Sequence, residues 1–301
     1  MSYCLRMRFA HRVFFPLLMA LCFVVGISPG GAFANPKPVL TKYTRRGVSS
    51  ISERRLSPSE LKRLAIRDIA PVPNFNTFCS NLSPKTFKEC VIAAVSAINN
   101  AHQESHIPLI NVNVANLEKL NGPETLLAAV NFERMARGLK PFAGLTRFFD
   151  QVARKAAEEK TDPSLSNKEL TLGANGYVSD WGGNWAENVD SPLAANYDFV
   201  YQDGPGEFNL LCTPQNSSGC YGHRENILGP YPYSPDACGN LKSEALMGAS
   251  VLNHHPGYNN PSSITELFVG ICVKHPIKPY VSWSYIEKEL LIGNSLLATS
   301  K

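Results

Sequence analysis

Histidine is scarce in this sequence, and the motifs of common hydrolases and phosphate-binding proteins are missing. Only seven histidines occur, and His223 is the only one between His106 and His254. After residue 34 there is no Gly-x-Ser-x-Gly nucleophile motif, no His-Glu-x-x-His zinc motif and no Gly-Lys-Ser/Thr phosphate loop. These absences exclude the enzyme classes that such motifs identify.

Long apolar runs are also rare, and the clearest one lies near the N-terminus. Residues 13–25 form a nearly unbroken apolar stretch that follows three arginines and precedes Ala32-Phe33-Ala34. A positive segment, a short apolar segment and a small-x-small cleavage site together predict a signal peptide over residues 1–34. The apolar stretch is too short to span a membrane comfortably. We therefore expect a secreted mature chain without a transmembrane segment, extracellular or associated with the cell wall.

Once residues 1–34 are set aside, the chain has no large excess of positive or negative charge. Three of the 29 basic residues and none of the 25 acidic residues lie in residues 1–34, which leaves the rest with a formal charge of +1. A nearly neutral chain has little electrostatic attraction for a phosphate backbone. We therefore expect no nucleic-acid partner.

Cysteines with Cys-x-x-Cys spacing are absent, which argues against zinc clusters and thioredoxin-like chemistry. Six cysteines follow residue 34, and an even number in an exported chain predicts a disulfide framework. This number leaves the connectivity open. Proximity in sequence favours three local pairs, which are Cys79–Cys90, Cys212–Cys220 and Cys238–Cys272.

Local signals place helices first along the chain and strands last. Serine or glycine followed by proline opens several predicted helices, and runs of strand-forming residues close the domain. Helices are predicted over residues 61–68, 85–103, 122–138, 147–160, 192–201 and 285–291. A long loop is predicted over residues 161–183. Two strands, over residues 245–252 and 264–273, are predicted to form an antiparallel hairpin. This order predicts an α+β fold in which helices pack on a small antiparallel sheet.

Composition divides the chain into five regions. Prolines, paired arginines and few apolar residues mark residues 35–56 as a flexible basic arm. Such an arm is either a solvated linker or a contact for an anionic wall polymer or membrane surface. The regions are a signal peptide (1–34), the arm (35–56), a helical N-terminal extension (57–120), a main domain (121–273) and a C-terminal tail (274–301).

Two polar residues fall in or beside the apolar stripe of the helix predicted over 122–138. Arg134 lies in the middle of this stripe of leucine and valine residues, and Asn131 lies at its edge. Buried polar groups need hydrogen-bond partners. We therefore expect Asn131 and Arg134 to have a structural role and to bond to loops that cross the helix.

The segment Gly222–Leu228 is the richest in candidate functional side chains. His223 precedes a basic, an acidic and an amide residue, then two aliphatic residues and the helix-stopping pair Gly229-Pro230. We predict one or two helical turns with His223 at the loop–helix junction. A helix N-terminus favours neutral imidazole, which can accept a proton or bind a metal. The alternative is a capping or hydrogen-bonded structural histidine.

Several segments form a series whose order and spacing are informative. They are Asn131-Phe132-Glu133-Arg134 with Gly138-Leu139-Lys140-Pro141, then Ala186-Glu187-Asn188-Val189, then Gly222-His223-Arg224-Glu225-Asn226-Ile227-Leu228, and finally Met247-Gly248-Ala249 and Thr265-Glu266-Leu267-Phe268-Val269-Gly270. This series resembles the CAP superfamily of cysteine-rich secretory, antigen 5 and pathogenesis-related proteins, also called SCP domains. The chain is most similar to secreted actinobacterial members, through residues 201–206 and 212–228. The resemblance covers about residues 122–273 and leaves residues 35–120 unexplained.

The resemblance implies a disulfide-stapled α-β-α sandwich with a surface cleft that holds two histidines and two acids. In some members these residues bind a divalent metal. Glu187 matches the first acid and His223 the second histidine. The second acid belongs in the region 197–207, where Asp203 is our candidate and Glu207 the alternative. We expect Glu187 and His223 to lie close together.

The first histidine of that cleft has no counterpart, because no histidine occurs between residues 110 and 222. Near residues 161–163, where the family often places it, this chain has Asp162. One histidine with carboxylates suits hard cations better than zinc. No cofactor is firmly implied, and we expect a divalent metal held by Glu187 and His223 to bind weakly.

Three functions are compatible with these observations. The first is a non-catalytic extracellular binding or interaction module for a lipid, a cell-wall polymer or a surface protein, because superfamily members are linked with such ligands. The second is an extracellular hydrolase, metal-assisted or dependent on Glu187 or Asp203 polarising His223. The third is a wall-associated protein that works through its basic arm. The first is our expectation, because a hydrolase needs an acid, a base and an oriented nucleophile, and only a base and its partner can be named.

Overall fold

The computed structural model describes most of the chain after residue 66. The described residues are 39–40, 44–45, 67–79, 87–213, 215, 217–232, 235–253, 262–290 and 297–298. All of them belong to the unit Pro36–Lys301. The signal peptide predicted over residues 1–34 and most of the helix predicted over 61–68 lie outside the described residues.

Eight α-helices lie in the described part of the chain. They are α1 (Phe75–Cys79), α2 (Phe87–Glu104), α3 (Val114–Leu117), α4 (Gly122–Ala136), α5 (Arg147–Glu159), α6 (Pro192–Tyr201), α7 (Gly222–Leu228) and α8 (Trp283–Leu290). They confirm the helices predicted over 85–103, 122–138, 147–160, 192–201 and 285–291, and the short helix that carries His223, with small shifts at the ends. None of the described helices has the length and apolar character needed to cross a lipid bilayer.

Side-chain caps fix where the main helices begin. The Asn121 side chain accepts a hydrogen bond from the backbone of Glu124, whose carboxylate bonds back to the backbone of Asn121. The Thr146 and Ser191 side chains cap α5 and α6 by accepting the backbone N–H of Phe149 and of Ala194. Each such cap contributes about 1 kcal/mol to helix stability.

The described strands form one large sheet and one small one. They are β1 (Val39–Leu40), β2 (Thr44–Arg45), β3 (Leu109–Ile110), β4 (Gly144–Leu145), β5 (Gly176–Val189), β6 (Lys242–Asn253), β7 (Ser262–Val273), β8 (Val281–Ser282) and β9 (Leu297–Ala298). The large sheet has the order β1-β5-β7-β6-β4-β8, with β2 also paired to β5, and β3 pairs with β9 alone. Helices with this sheet make the protein an α+β fold.

The pairing of the sheet confirms one prediction and corrects another. β6 and β7 form the predicted antiparallel hairpin, with Asn253 opposite Ser262. The sheet as a whole is mixed, because β4 runs parallel to β6 where Leu145 pairs with Met247. The prediction of a purely antiparallel sheet is therefore wrong. A two-residue strand just before α5 is too short to give a sequence signal.

The long loop predicted over residues 161–183 is wrong from Gly176 onward, because β5 begins there and pairs along most of its length with β7. Three glycines and several polar side chains hide the usual strand pattern in this sequence. At Gly182 a Cβ atom would lie 2.3 Å from Asn226 Oδ1, so no larger residue fits beside α7. Glycine inside a strand often marks such a close approach.

Two pieces of the segment predicted as a flexible arm pair with the outer edge of β5. Val39 and Leu40 lie opposite Glu187 and Ala186, and β2 pairs antiparallel with the strand at Gly182 and Gly183. Unpaired strand edges invite association with other chains. The arm therefore covers part of an edge that β5 would otherwise expose.

Two hydrophobic clusters hold helices against the sheet. The larger joins α2, α4, α6 and α7 to the sheet and includes Ile98, Leu126, Val130, Phe199 and Phe268. The smaller joins α5 to the sheet through Phe149, Val152, Trp181, Leu246 and Leu267. The helix α2 of the N-terminal extension thus shares one core with the main domain.

The three predicted disulfide bonds are confirmed. Cys79 pairs with Cys90, Cys212 with Cys220, and Cys238 with Cys272, at Cα–Cα distances of 5.5, 4.5 and 5.2 Å. The second bond closes the loop immediately before α7. Constraint of the unfolded chain by such a bond contributes about 2–4 kcal/mol.

Asn131 and Arg134 are buried and form hydrogen bonds with neighbouring segments of the chain. The Asn131 side chain bonds to both the N–H and the C=O of Phe142, at 2.8 and 3.0 Å. Arg134 Nη1 donates to the carbonyls of Ile227 and Gly229 at 2.6 and 2.7 Å, and its guanidinium lies over the Phe142 ring. Arg134 therefore satisfies carbonyls at the C-terminal end of α7.

Candidate functional site

His223 lies in the first turn of α7 and is completely buried, with 0% of its surface exposed. The chain enters the helix through Tyr221, which adopts a left-handed backbone conformation with φ of 64°. The imidazole stacks on Phe199 of α6, with 5.2 Å between ring centroids. The predicted position at a loop–helix junction is confirmed, and the ring faces the interior.

Asp203 holds both His223 and the start of α7. Its Oδ1 lies 2.7 Å from His223 Nδ1, and its Oδ2 accepts the backbone N–H of Arg224 at 3.0 Å. An ionised carboxylate only accepts hydrogen bonds, so His223 Nδ1 carries the hydrogen. Of the two predicted second acids, the structure brings Asp203 to His223. Glu207 is exposed.

Asn209 ties this pair to the disulfide-closed loop. Its Nδ2 donates to Asp203 Oδ1 at 2.7 Å and to the carbonyl of Gly219 at 3.0 Å. Its Oδ1 accepts the backbone N–H of Leu211 at 3.1 Å. Asn209 is buried, and sequence reasoning missed it because a loop asparagine gives no signal of a tertiary partner.

Another buried acid, Glu266, lies near the other side of α7. Asn184 of β5 donates to the carbonyl of His223 at 3.2 Å and to Glu266 Oε2 at 3.3 Å. Asn226 donates to Asn184 Oδ1 at 2.9 Å. These three polar side chains are fully buried and connect α7 to the central strands.

Burial raises the pKa of Glu266 to about 8, although the Asn184 hydrogen bond and the charge of His223 oppose this shift. Glu266 therefore carries its proton at neutral pH. Sequence reasoning missed it as a site residue. Its position could have indicated a buried acid, because Glu266 is the only charged residue in β7. This strand lies between β5 and β6 in the sheet.

Glu187 faces the opposite side of β5 from His223. Its carboxylate pairs with Lys160, the residue that ends α5. Trp185, two residues earlier in β5 and therefore on the same face as Glu187, donates to Ser263 Oγ, which donates to a carbonyl of α5. Asn184 contacts α7 instead. Adjacent strand residues point to opposite faces. The structure therefore does not bring Glu187 and His223 together, contrary to the proximity that the resemblance implied.

Around His223, the described residues do not form the four-residue metal cleft that the resemblance implied. Asp162, which stands where the family often has a histidine, is buried just after the end of α5. Across the described residues, no group of three or more His, Cys, Asp and Glu side chains is arranged to hold a metal ion. The acid that contacts His223 itself is Asp203, at 2.7 Å.

A separate buried ionic network joins α2, α4 and α6. Glu133 Oε2 receives hydrogen bonds from Arg137 at 2.5 Å and Tyr201 at 2.8 Å, and lies 3.2 Å from His102 Nε2. Burial alone raises the pKa of Glu133, but the charges and hydrogen bonds of His102 and Arg137 lower it to about 2. This carboxylate is ionised at neutral pH and binds the three helices together.

Comparison with protein-family models, with curated proteins and with solved structures finds no match. The chemistry of the site must therefore follow from its own geometry.

Asp203 orients the imidazole as an acid does in hydrolases, but a general base must also come within hydrogen-bond reach of a substrate. The ring of His223 is instead completely buried and stacked on Phe199.

Proposed function

We propose that the protein is an exported, non-catalytic binding or interaction module of the CAP type. The observation that carries this proposal is the complete burial of His223 together with its hydrogen bond to Asp203. In this position the histidine fixes the start of α7 and the loop before it. It stabilises a surface and does not act on a substrate.

Several features support a CAP-type α-β-α sandwich. The cluster around Phe149 attaches α5 to the sheet, and the cluster around Phe199 and Phe268 attaches α4, α6 and α7 to it. The alternation of Asn184 towards α7 and Glu187 towards α5 is consistent with helices on both faces of β5. The motif residues Asn131, Arg134 and His223 all hold α7 or the loops beside it.

The proposed ligand is a lipid, a cell-wall polymer or a surface protein outside the cell. Three disulfide bonds are compatible with an oxidising compartment. The near-neutral charge after residue 34 disfavours nucleic acid.

The alternative function is a His/Glu-dependent or metal-assisted hydrolase, and the Asp203–His223 pair is the feature that favours it. The hydrogen on Nδ1 would leave Nε2 as the basic nitrogen. For this function α7 would have to move and expose the ring. Glu187 could not assist without leaving Lys160 and the opposite face of β5.

Zinc calorimetry separates the two functions. The disulfide-bonded chain without residues 1–34 and its His223→Ala variant are titrated with zinc, and peptide and ester hydrolysis is assayed with and without the metal. We expect similar weak zinc binding and no hydrolysis that depends on His223. Submicromolar zinc binding that disappears in a folded His223→Ala variant would refute the non-catalytic proposal and support the hydrolase.

A further inference from the structure

Residues 67–70, which are neither helix nor strand, lie against the end of α6. The backbone N–H of Ile69 donates to the carbonyl of Tyr201 at 2.9 Å. The carbonyl of Ile69 accepts hydrogen bonds from the Tyr197 hydroxyl at 2.9 Å and from Gln202 Nε2 at 2.6 Å. Both backbone groups of one residue are thus bound by the domain, as in the recognition of an extended peptide.

The carboxylate of Asp68 occupies a prepared anion site. Asp68 Oδ1 accepts hydrogen bonds from Arg224 Nη2 at 2.7 Å and from the backbone N–H of Gly204 at 3.1 Å. A Cβ atom at position 204 would lie 1.6 Å from Asp68 Oδ2. Glycine is therefore required for the carboxylate to approach.

Arg224 is held in place independently of Asp68. It is 4% exposed, its Nε donates to the carbonyl of Val200, and its guanidinium lies 4.8 Å from the ring centre of Tyr221. Its backbone N–H is bound by Asp203. A buried guanidinium in a fixed position is suited to recognise a carboxylate.

The side chain of Ile69 completes the set of contacts. It is 4% exposed and packs into the larger hydrophobic cluster. Arg67 and Ala70, on either side of Asp68-Ile69, are exposed. Arg67 forms an ion pair with Glu104, and this ion pair is exposed. Exposed ion pairs contribute little, so Asp68 and Ile69 supply most of the anchoring of this segment.

We propose that this surface is a binding site for an extended peptide in which aspartate precedes a large aliphatic residue, and that Asp68-Ile69 of the same chain fills it in cis. The occupant in trans is a partner protein that presents such a segment. Arg224 and Gly204 bind the aspartate carboxylate of the peptide. Tyr197 and Gln202 donate hydrogen bonds to the backbone carbonyl of the aliphatic residue, whose side chain packs into the hydrophobic core. The inference rests on the proposed function, because it names a site and a ligand class for an interaction module.

A tethered segment has a high effective concentration, so the intact chain should bind a free peptide poorly. The test uses the chain without residues 1–34, carrying Asp68→Ala and Ile69→Ser to open the site, beside the unsubstituted chain. The probe is a fluorescein-labelled peptide with the sequence of residues 66–71, followed by fluorescence anisotropy. We expect saturable binding to the opened variant, at least about tenfold tighter than to the unsubstituted chain.

Two controls show whether the recognition is specific. A peptide with asparagine in place of the aspartate should bind the opened variant at least about tenfold more weakly, since a charge-assisted hydrogen bond is lost. Adding Arg224→Gln to the opened variant should remove the difference between the two peptides. A folded opened variant that binds neither peptide, or binds both equally, would overturn the proposal.

A second measurement covers the case in which the opened variant fails to fold. Amide hydrogen exchange at Ile69 is followed in the unsubstituted chain with and without a millimolar excess of the aspartate peptide. Displacement of the cis segment predicts faster exchange with this peptide than with the asparagine peptide. Equal exchange with both would contradict the site. Neither experiment depends on zinc or hydrolysis, so its failure is distinguishable from failure of the proposed function.

Discussion

At the scale of single residues, Glu266 shows how strongly burial controls charge in this protein. Its carboxyl group is fully enclosed in the sheet, and the pKa is raised from an ordinary 4.5 to about 8. Glu133, equally buried, has its pKa lowered to about 2 because two cationic side chains face it. The difference between the two acids comes from their partners and not from their depth.

Replacement of Glu266 by glutamine should change the pH dependence of stability. Because the folded-state pKa is raised, the stability that protonated Glu266 contributes is complete below pH 4.5 and is lost as the pH rises through about 8. Each pKa unit corresponds to about 1.4 kcal/mol. We expect Glu266→Gln to gain stability over the unsubstituted protein as the pH rises.

Thermal unfolding at several pH values between 4.5 and 9 tests this expectation, with Glu158→Gln as the matched control because Glu158 makes an exposed ion pair. The Tm difference between Glu266→Gln and the unsubstituted protein should grow with pH, whereas the control should show a constant small difference. A difference for Glu266→Gln that does not change with pH would show that Glu266 ionises normally.

At the scale of elements, α7 is a short helix that is held at both ends by other parts of the chain. Asp203 binds the backbone N–H of Arg224 and the imidazole of His223 in its first turn. Arg134 binds carbonyls at the other end. Helices this short are unstable alone. The His223 segment therefore owes its conformation to these tertiary contacts.

Arg134→Ala should destabilise the protein although Arg134 has no catalytic role. The change leaves the carbonyls of Ile227 and Gly229 without this donor, at a cost of about 1–3 kcal/mol. Urea unfolding should show this loss, and Arg154→Ala, in an exposed pair with Glu158, should change stability by less. A midpoint unchanged from the unsubstituted protein would mean that Arg134 does not support α7.

The same elements show what the sequence can and cannot predict. Amphipathic helices with capping residues, such as α4 and α5, were predictable because the apolar period and the caps are local. β5 was not, because a strand buried on both faces and interrupted by glycines has no alternating pattern. Asp203 was a candidate because the family resemblance places an acid in the region 197–207. Asn209 and Glu266 were missed because they act only through tertiary contacts.

At the scale of the whole molecule, regions distant in sequence share one core. Residues before 120 contribute α2 to the larger hydrophobic cluster. Asp68 accepts hydrogen bonds from Gly204, next to Asp203, and from Arg224 of α7. Glu133 links α2, α4 and α6. The N-terminal extension is therefore part of the structure that positions the candidate site.

The central claim is that His223 is an enclosed structural residue, and chemical modification tests it directly. The folded, disulfide-bonded protein is treated with diethyl pyrocarbonate, and modified histidines are mapped by mass spectrometry. His106 and His275 are exposed and serve as internal controls, and His102 is a second buried histidine. We predict rapid modification of His106 and His275, with His223 and His102 modified only after unfolding. Modification of native His223 at the rate of His106 would contradict the claim and point to an accessible, functional imidazole.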